Sequence, residues 1–431
     1  MSESNRRDFI KAGSVAATAA IAATSIPAVR AAGSDIIKVG LVGCGGRGSG
    51  AIRDCLKADK SVQVHAVGDV FEARSKGQAD SLKKQYKERA DIGERAFSGL
   101  DAYKQVIDSG VDLVILATPP GFRPVHLGYA VEKGKHIFCE KPVAVDGPGI
   151  RRCLELAEES KKKNLAIVAG TQRRHQKSYV EVAKRIKNGD IGEIVGGRCA
   201  WNNDGIWFNK RNKGESDIEY QLRNWYHFVW LCGDHIVEQH VHNLDVTNWF
   251  VGAHPIKATG MGGRMGGTNA RPDGDPQDVG NIFDHFAVEY EYPNGVKIAS
   301  YCRHYPGPGD VSECVIGTKG TIRTASGGYF TLNGKEIYSA EKDREDTSPY
   351  VQEHIDLIAN IKAGGTHVNE LQQVTESTMT AILGRMSTYT GTSLTWEKGV
   401  ASKDDTMPKD LTLKGEHKVG PVPRPGHTKF M

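Results

Sequence analysis

The chain has little of what marks membrane, fibrous or nucleic-acid-binding proteins. Its composition, 39% hydrophobic and 25% charged, excludes a multi-span membrane protein and a disordered chain alike. No long basic run stands out, and 56 basic against 52 acidic residues leave a formal charge of only +4. That balance excludes an electrostatic footprint for nucleic acid. There are only 17 prolines and no G-X-Y period, so collagen is excluded, and no internal repeat is present. The eight cysteines (Cys44, Cys55, Cys139, Cys153, Cys199, Cys232, Cys302, Cys314) include no C-x-x-C pair and no zinc-ribbon spacing. They read as scattered buried thiols. What is abundant is glycine, 50 of 431 residues, or about 12% against a usual ~7%. Many tight turns and close backbone approaches follow from that excess. The length suits two to three domains.

The N-terminus reads as an address. Arg6 and Arg7 lie in a twin-arginine pattern, Asn5 to Lys11, followed by a weakly apolar stretch from Ala12 to Ala23, then Pro27, Ala31 and Ala32. Twelve such residues are too few to span a bilayer. The expectation is a Tat export signal over residues 1–32, a periplasmic or exported protein, and no stable membrane insertion. Its removal takes away four basic and two acidic side chains, which leaves a formal +2. Tat export carries folded proteins, often around a bound cofactor, so a tightly held cofactor is expected.

A nucleotide site follows. Residues 36–42 (IIKVGLV) read as a buried parallel strand that runs into Gly43-Cys44-Gly45-Gly46-Arg47-Gly48 and then a helical pattern from Ala51. These glycines let the chain turn sharply and let a pyrophosphate approach N–H groups at a helix N-terminus. A second β-rich run, 62–68, ends at Asp69, twenty-one residues after Gly48. A carboxylate there accepts the adenosine ribose hydroxyls and repels a 2′-phosphate, so NAD is favoured over NADP, with Arg74 nearby as a complication. The third strand, 111–118, ends at Thr118-Pro119, with His126 opening the next helix. The fourth, 136–139, ends at Glu140-Lys141-Pro142. Ligands of open α/β sheets bind beyond the strands' carboxyl ends, so Thr118, Glu140 and Lys141 should line one crevice. A helix over 150–163 and a strand over 165–170 place a boundary near Gly170.

With the glycine loop, Asp69, Ala117-Thr118-Pro119, Gly134-Lys135-His136 and Glu140-Lys141-Pro142 in view, the chain resembles the Gfo/Idh/MocA oxidoreductases. His242-Asn243-Leu244-Asp245, Trp249, Gly252, Gly317-Thr318-Lys319-Gly320 and Tyr389-Thr390-Gly391 with Trp396 extend the resemblance over nearly all of the residues after the leader. It implies an α/β fold in two parts. A Rossmann domain with a parallel sheet (33–170) precedes an α/β domain with a large, mostly antiparallel open sheet (171–402) and a C-terminal helix. An extended arm (403–431) follows. The residues agree: 283–292, 296–301, 313–317 and 321–324 read as strands separated by turns at Pro293-Asn294-Gly295 and Lys319-Gly320. The resemblance further implies homo-oligomers built on the open sheet.

By the same resemblance, Lys141 is the catalytic lysine beside the nicotinamide, with a cis peptide to Pro142, and His242 is the general acid/base. Imidazole suits proton transfer near neutral pH. Four residues before the histidine the family carries Asp, and this chain carries Glu238, which one helical face would place beside His242. The cofactor set is then Gly43, Gly45, Gly46, Arg47, Gly48, Asp69, Thr118, Pro119, His126, Glu140 and Lys141. The run from Asp234 to His242 holds His235, Glu238, His240 and His242 but no H-E-x-x-H spacing, so no metal is assigned.

Substrate class comes from polar side chains around aromatic ones. Arg173, Arg174 and His175 follow the last Rossmann strand, and residues 201–230 hold four of the six tryptophans. Trp201, Asn202, Trp225, Tyr226 and His227 are the candidate ligands of a pyranose, whose apolar C–H faces are ringed by hydroxyls. Residues 260–278, opening with GMGGRMGG, read as a long loop serving as a lid. The expected function is NAD-dependent hydride transfer at a sugar or glycoside hydroxyl, with C3 of a glycoside the specific site. The alternatives are an NAD-dependent glycosidase of the same fold and a non-catalytic sugar-binding protein.

Overall fold

The computed structural model describes residues 36–266, 271–343 and 346–431, so the twin-arginine leader lies outside the described residues. Short apolar runs rich in Val, Ile and Leu become the buried strands β1 (Ile37–Val42), β2 (Val62–Asp69), β4 (Leu113–Leu116), β5 (His136–Cys139) and β6 (Ile167–Ala169), with β3 (Ala96–Ser98) a short, partly exposed edge strand. All pair in parallel in the order β3-β2-β1-β4-β5-β6. The order in which strands are added reverses between β1 and β4, and a crevice opens at that switch point. Helices Gly46–Ala58 and Glu72–Tyr86 cover one face, and Ala102–Asp108, Arg123–Glu132 and Gly147–Lys162 the other. A late helix, Pro349–Ala363, returns to the first face, where Leu357, Ile358 and Ile361 join the core of the first sheet.

The second sheet has nine strands: β7 (Ile194–Asn203), β8 (Lys257–Gly263), β9 (His285–Glu291), β10 (Lys297–His304), β11 (Asp310–Gly317), β12 (Thr321–Ala325), β13 (Tyr329–Leu332), β14 (Lys335–Ser339) and β15 (Leu394–Thr395). Their order is β14-β13-β12-β11-β7-β10-β9-β8-β15, and only the β7–β10 pair is parallel. The architecture is therefore the expected parallel sheet followed by a mostly antiparallel one. One expectation fails. The glycines at 260–263 belong to β8, not to a loop. Gly260 and Gly262 have no room for a side chain against the helix Leu371–Thr390 and the neighbouring strand. A Cβ on Gly260 would stand 2.1 Å from Thr388 Oγ1, and one on Gly262 would stand 2.4 Å from the carbonyl of His285. Positions 267–270 of the expected lid lie outside the described residues.

Leu371–Thr390 is buried along nearly its whole length and packs on both the helix Gly147–Lys162 and β8. Its many hydroxyls tolerate burial because they bond back to their own helix: Thr375 to the carbonyl of Leu371, Thr378 to Val374 and Thr388 to Gly384. Residues after Ser402 form no helix or strand, yet this arm is pinned. Thr406 bonds Asp146 at 2.8 Å, Ser216 Oγ donates to the carbonyl of Leu413 at 2.8 Å, and Gln277 brackets Val419 from both sides. All eight cysteines are free thiols, and seven of them are buried.

Candidate active site

The glycine loop owes its shape to contacts a side chain would prevent. Gly43 has φ +98° and packs on Ala117 and Thr118. At Gly48 a Cβ would lie 1.8 Å from the carbonyl oxygen of Gly43. Gly45 caps the helix Gly46–Ala58, and at Gly45 and Gly46 a Cβ would meet nothing within 4 Å. That open space above a helix N-terminus fits the phosphates of a dinucleotide. Asp69 closes the loop: one carboxylate oxygen accepts from Cys44 N–H at 2.8 Å and the other from Phe71 N–H at 2.9 Å. Its acid group is thereby fixed where a ribose would be read.

These residues form one end of a cleft of about 710 Å³. Gly43, Gly45, Gly46, Arg47, Gly48, Asp69, Thr118, Pro119, His126, Glu140 and Lys141 all line it. Arg47 pairs with Glu140 at 2.5 Å and lies 5.0 Å over the ring of Tyr350. His126 bonds Thr118 Oγ1 at 3.1 Å and stacks on Tyr103 at 4.2 Å. Burial and the nearby Arg123 push its pKa down to about 3, so it is a neutral wall.

Lys141, Glu238 and His242 meet in the same cleft. The Lys141–Pro142 peptide is cis. Lys141 Nζ lies 3.0 Å from Glu238 Oε1 and also donates to the Glu238 carbonyl. The helix expected to run from 238 through 242 is broken: His235–Glu238 and Val241–Val251 are separate helices. Glu238 is turned to Lys141 as its ion-pair partner, and its Oε2 is buried with no hydrogen-bond partner. His242 is 8% exposed and stacks on Trp201, with centroids 5.7 Å apart and planes 22° apart. Burial, then the charges of Lys141 and Arg173, hold its pKa well below the ordinary 6.5. The imidazole is therefore neutral, the form that accepts a proton.

Among the candidate substrate ligands, Trp201, Trp225 and Tyr226 line the cleft, and Trp207 joins them. Five others are not brought there. Arg173 is buried against Glu313 at 2.5 Å, and Arg174 forks onto Asp245 at 2.9 and 3.0 Å. His175 lies between Asp356 at 2.5 Å and Glu370 at 3.3 Å. Burial alone would lower its pKa, but these carboxylates outweigh burial and push it up to about 10. His227 bonds the carbonyl of Trp207 at 2.7 Å, and Asn202 sits on β7 between Arg303 and Asp310 of the flanking strands. The charged members of this group are committed to protein partners because unpaired charge is costly to bury. Sequence reasoning missed Phe71, Tyr103, Gln239 and Tyr350 as lining residues. Phe71 had a signal in its position two residues after Asp69. Tyr350 had none, since only tertiary folding returns its helix to the first sheet.

The histidines of 234–242 diverge. His235 bonds Asp234 and stacks on His304, while His240 bonds Ser300 Oγ at 2.7 Å. Among the described residues no group of three His, Cys, Asp or Glu is arranged to hold a metal ion.

A doubly wound sheet with an open glycine loop and a fixed ribose carboxylate, facing a lysine and a neutral imidazole, defines a dinucleotide-binding oxidoreductase. Residues 37–169 match the oxidoreductase family with an NAD-binding Rossmann fold, and residues 183–391 match that family's C-terminal alpha/beta domain. The chain belongs to the Gfo/Idh/MocA oxidoreductase family. It is similar to inositol 2-dehydrogenase 1 of Saccharopolyspora erythraea, 29% identical over 167 residues, 39% of this chain and 46% of the relative. It is also similar to the 2,7-anhydro-N-acetylneuraminate hydratase of Escherichia coli, 28% identical over 234 residues, 52% of this chain and 54% of the relative. The chain thus spans about half the length of these curated relatives. The solved myo-inositol 2-dehydrogenase of Lactobacillus plantarum shares the fold, with a TM-score of 0.61 at 19% identity over 84% of this chain and 99% of that one.

Proposed function

We propose that this chain transfers hydride between a ring carbinol carbon of a sugar or glycoside and NAD, at C3 when the substrate is a glycoside. The observation that carries the reading is the meeting of Lys141, Glu238 and a neutral His242 in the cleft that begins at the glycine loop. When bound, NAD supplies the hydride acceptor. His242 takes the hydroxyl proton as the C–H hydride leaves. The Lys141 ammonium stabilises the negative charge that develops on oxygen. Glu238 holds that ammonium in place and offers its unpartnered Oε2 to a second hydroxyl. Trp201 presents a buried, unpartnered indole N–H in the same cleft, and Trp225 and Tyr226 offer flat apolar surface to a ring.

Asp69 favours NAD over NADP. The cofactor is held tightly and recycled on the protein, in keeping with export through the twin-arginine leader. Self-association uses the open second sheet, where Met261, Tyr301 and Ile316 are exposed. The test is incubation of NAD-loaded protein with a panel of glycosides, free sugars and cyclitols, following nicotinamide absorbance and product mass. A redox change with at least one of them is expected, and no change with any would overturn the reading. A redox-neutral reaction at the same site is the second reading, favoured by the similarity to a hydratase. It would release product without accumulation of NADH.

A further inference from the structure

We propose that Arg173 and Arg174 are positioning residues that lock the helix bearing His242, rather than ligands of the substrate. The proposal rests on the reading of His242 as the proton acceptor. Helix Val241–Val251 presents His242 to the cleft and, next to it, Asn243 and Asp245 to the protein interior. Asn243 Nδ2 donates to Glu313 Oε1 at 2.7 Å, and Arg173 Nη1 donates to the same oxygen at 2.5 Å. Glu313 is wholly buried on β11, and its other oxygen accepts from Tyr179 at 3.1 Å and Thr324 at 2.5 Å. Arg174 binds both oxygens of Asp245, one of which also accepts from Ser377 at 2.7 Å. The two adjacent arginines after β6 thus hold the two polar residues that follow His242. One acts directly and the other through a buried carboxylate on the second sheet.

A third contact reaches the imidazole itself. The Arg173 guanidinium lies 5.7 Å over the ring of Trp201, and the same ring stacks on His242. Cation and imidazole therefore share the Trp201 indole as a packing partner, and rotation of His242 about its side chain would break its stacking there. The charged and titratable groups that act on His242 are Lys141, Arg173, Arg47 and His240, and all of them oppose its protonation. Of these, His240 and Arg173 lie outside the cleft, and Arg173 is the permanent cation of the two. It orients the ring and keeps it uncharged while leaving the substrate space free.

The experiment uses full-length, NAD-loaded protein carrying Arg173→Gln with Glu313→Gln, a charge-neutral replacement that strands no carboxylate. It is read by steady-state kinetics and by nitrogen NMR of histidine as a function of pH. Loss of orientation predicts that kcat falls about ten- to hundredfold while KM for the sugar stays within about twofold. Loss of the nearby cation predicts that the titration midpoint of His242 rises toward 6.5. If the double variant fails to fold, Trp201→Leu and Trp201→Phe are compared by the same titration. The leucine form should release the ring and the phenylalanine form should hold it. A rise in KM at unchanged kcat, or identical titrations in the tryptophan pair, would overturn the proposal. A His242→Gln protein that still turns over would instead retire the reading of His242 on which it rests.

Discussion

Alanine at Gly48 would put its Cβ 1.8 Å from the Gly43 carbonyl oxygen, against a floor of 3.0 Å that real Cβ contacts keep. The neighbour is backbone, tied into the turn between β1 and the helix Gly46–Ala58, so relief requires the loop to open by about 1.2 Å. Overpacking of this kind costs about 1–3 kcal/mol. The same displacement moves the N–H groups that would hold pyrophosphate. At 1.4 kcal/mol per decade, affinity for NAD should fall about ten- to hundredfold. Gly45 and Gly46 provide the contrast. A Cβ there meets nothing within 4 Å, and at Gly46 alanine improves helix propensity by up to about 1 kcal/mol. Both glycines line the cleft, however, so a methyl group enters ligand space. Gly48→Ala should therefore lower both the melting temperature and NAD affinity, whereas Gly46→Ala should lower affinity alone. Thermal melts with and without NAD, together with quenching of the cleft tryptophans, measure both quantities. Wild-type affinity in Gly48→Ala, or a destabilised Gly46→Ala, would refute the steric argument.

Lys141→Met should abolish turnover and cost about 3–5 kcal/mol in urea unfolding, because it leaves the buried Glu238 without its cation. Adding Glu238→Gln should recover most of that stability and none of the turnover. Acid should destabilise the fold through buried imidazoles whose pKa values burial lowers to about 3 for His126 and His240 and about 4 for His227, against 6.5 unfolded. Below pH 6.5 only the unfolded chain takes up these protons, so each imidazole removes about 1.4 kcal/mol per pH unit until its folded pKa is reached. His175 has the opposite sign. Its contribution is complete below pH 6.5 and is lost as pH rises toward about 10. Denaturation midpoints measured from pH 5 to 9 should fall on both sides of neutrality, and a flat profile would contradict the assignments. Ending the chain after Ser402 should speed NAD release in a stopped-flow chase. Met407, Leu411, Leu413 and Val419 of the arm share an apolar cluster with Leu222 and Trp225 of one cleft wall and with Val70, Phe71 and Phe122 of the other. An unchanged rate would mean that the arm does not restrain the cleft.

Local chemistry determined the first half of this protein. Strand, glycines, helix, second strand and acid follow one another within 34 residues, and each step depends on sterics or burial that acts over neighbouring positions. The same holds for Lys141 directly after β5, since a strand's carboxyl end is already the edge of the crevice. Where side chains must find distant partners, only the tertiary structure decided. Arg173 and Arg174 look like substrate ligands by their place after β6. The carboxylates that claim them, Glu313 and Asp245, come from a strand and a helix more than seventy residues further on. The glycines of 260–263 look like a loop until the helix Leu371–Thr390 packs against them. Glu238 and His242 look like one helical face until the helix is interrupted between them and Lys141 takes Glu238. In each case burial requires a charge to be paired or a surface to be matched, and the partner that does so is set by the fold rather than by spacing along the chain.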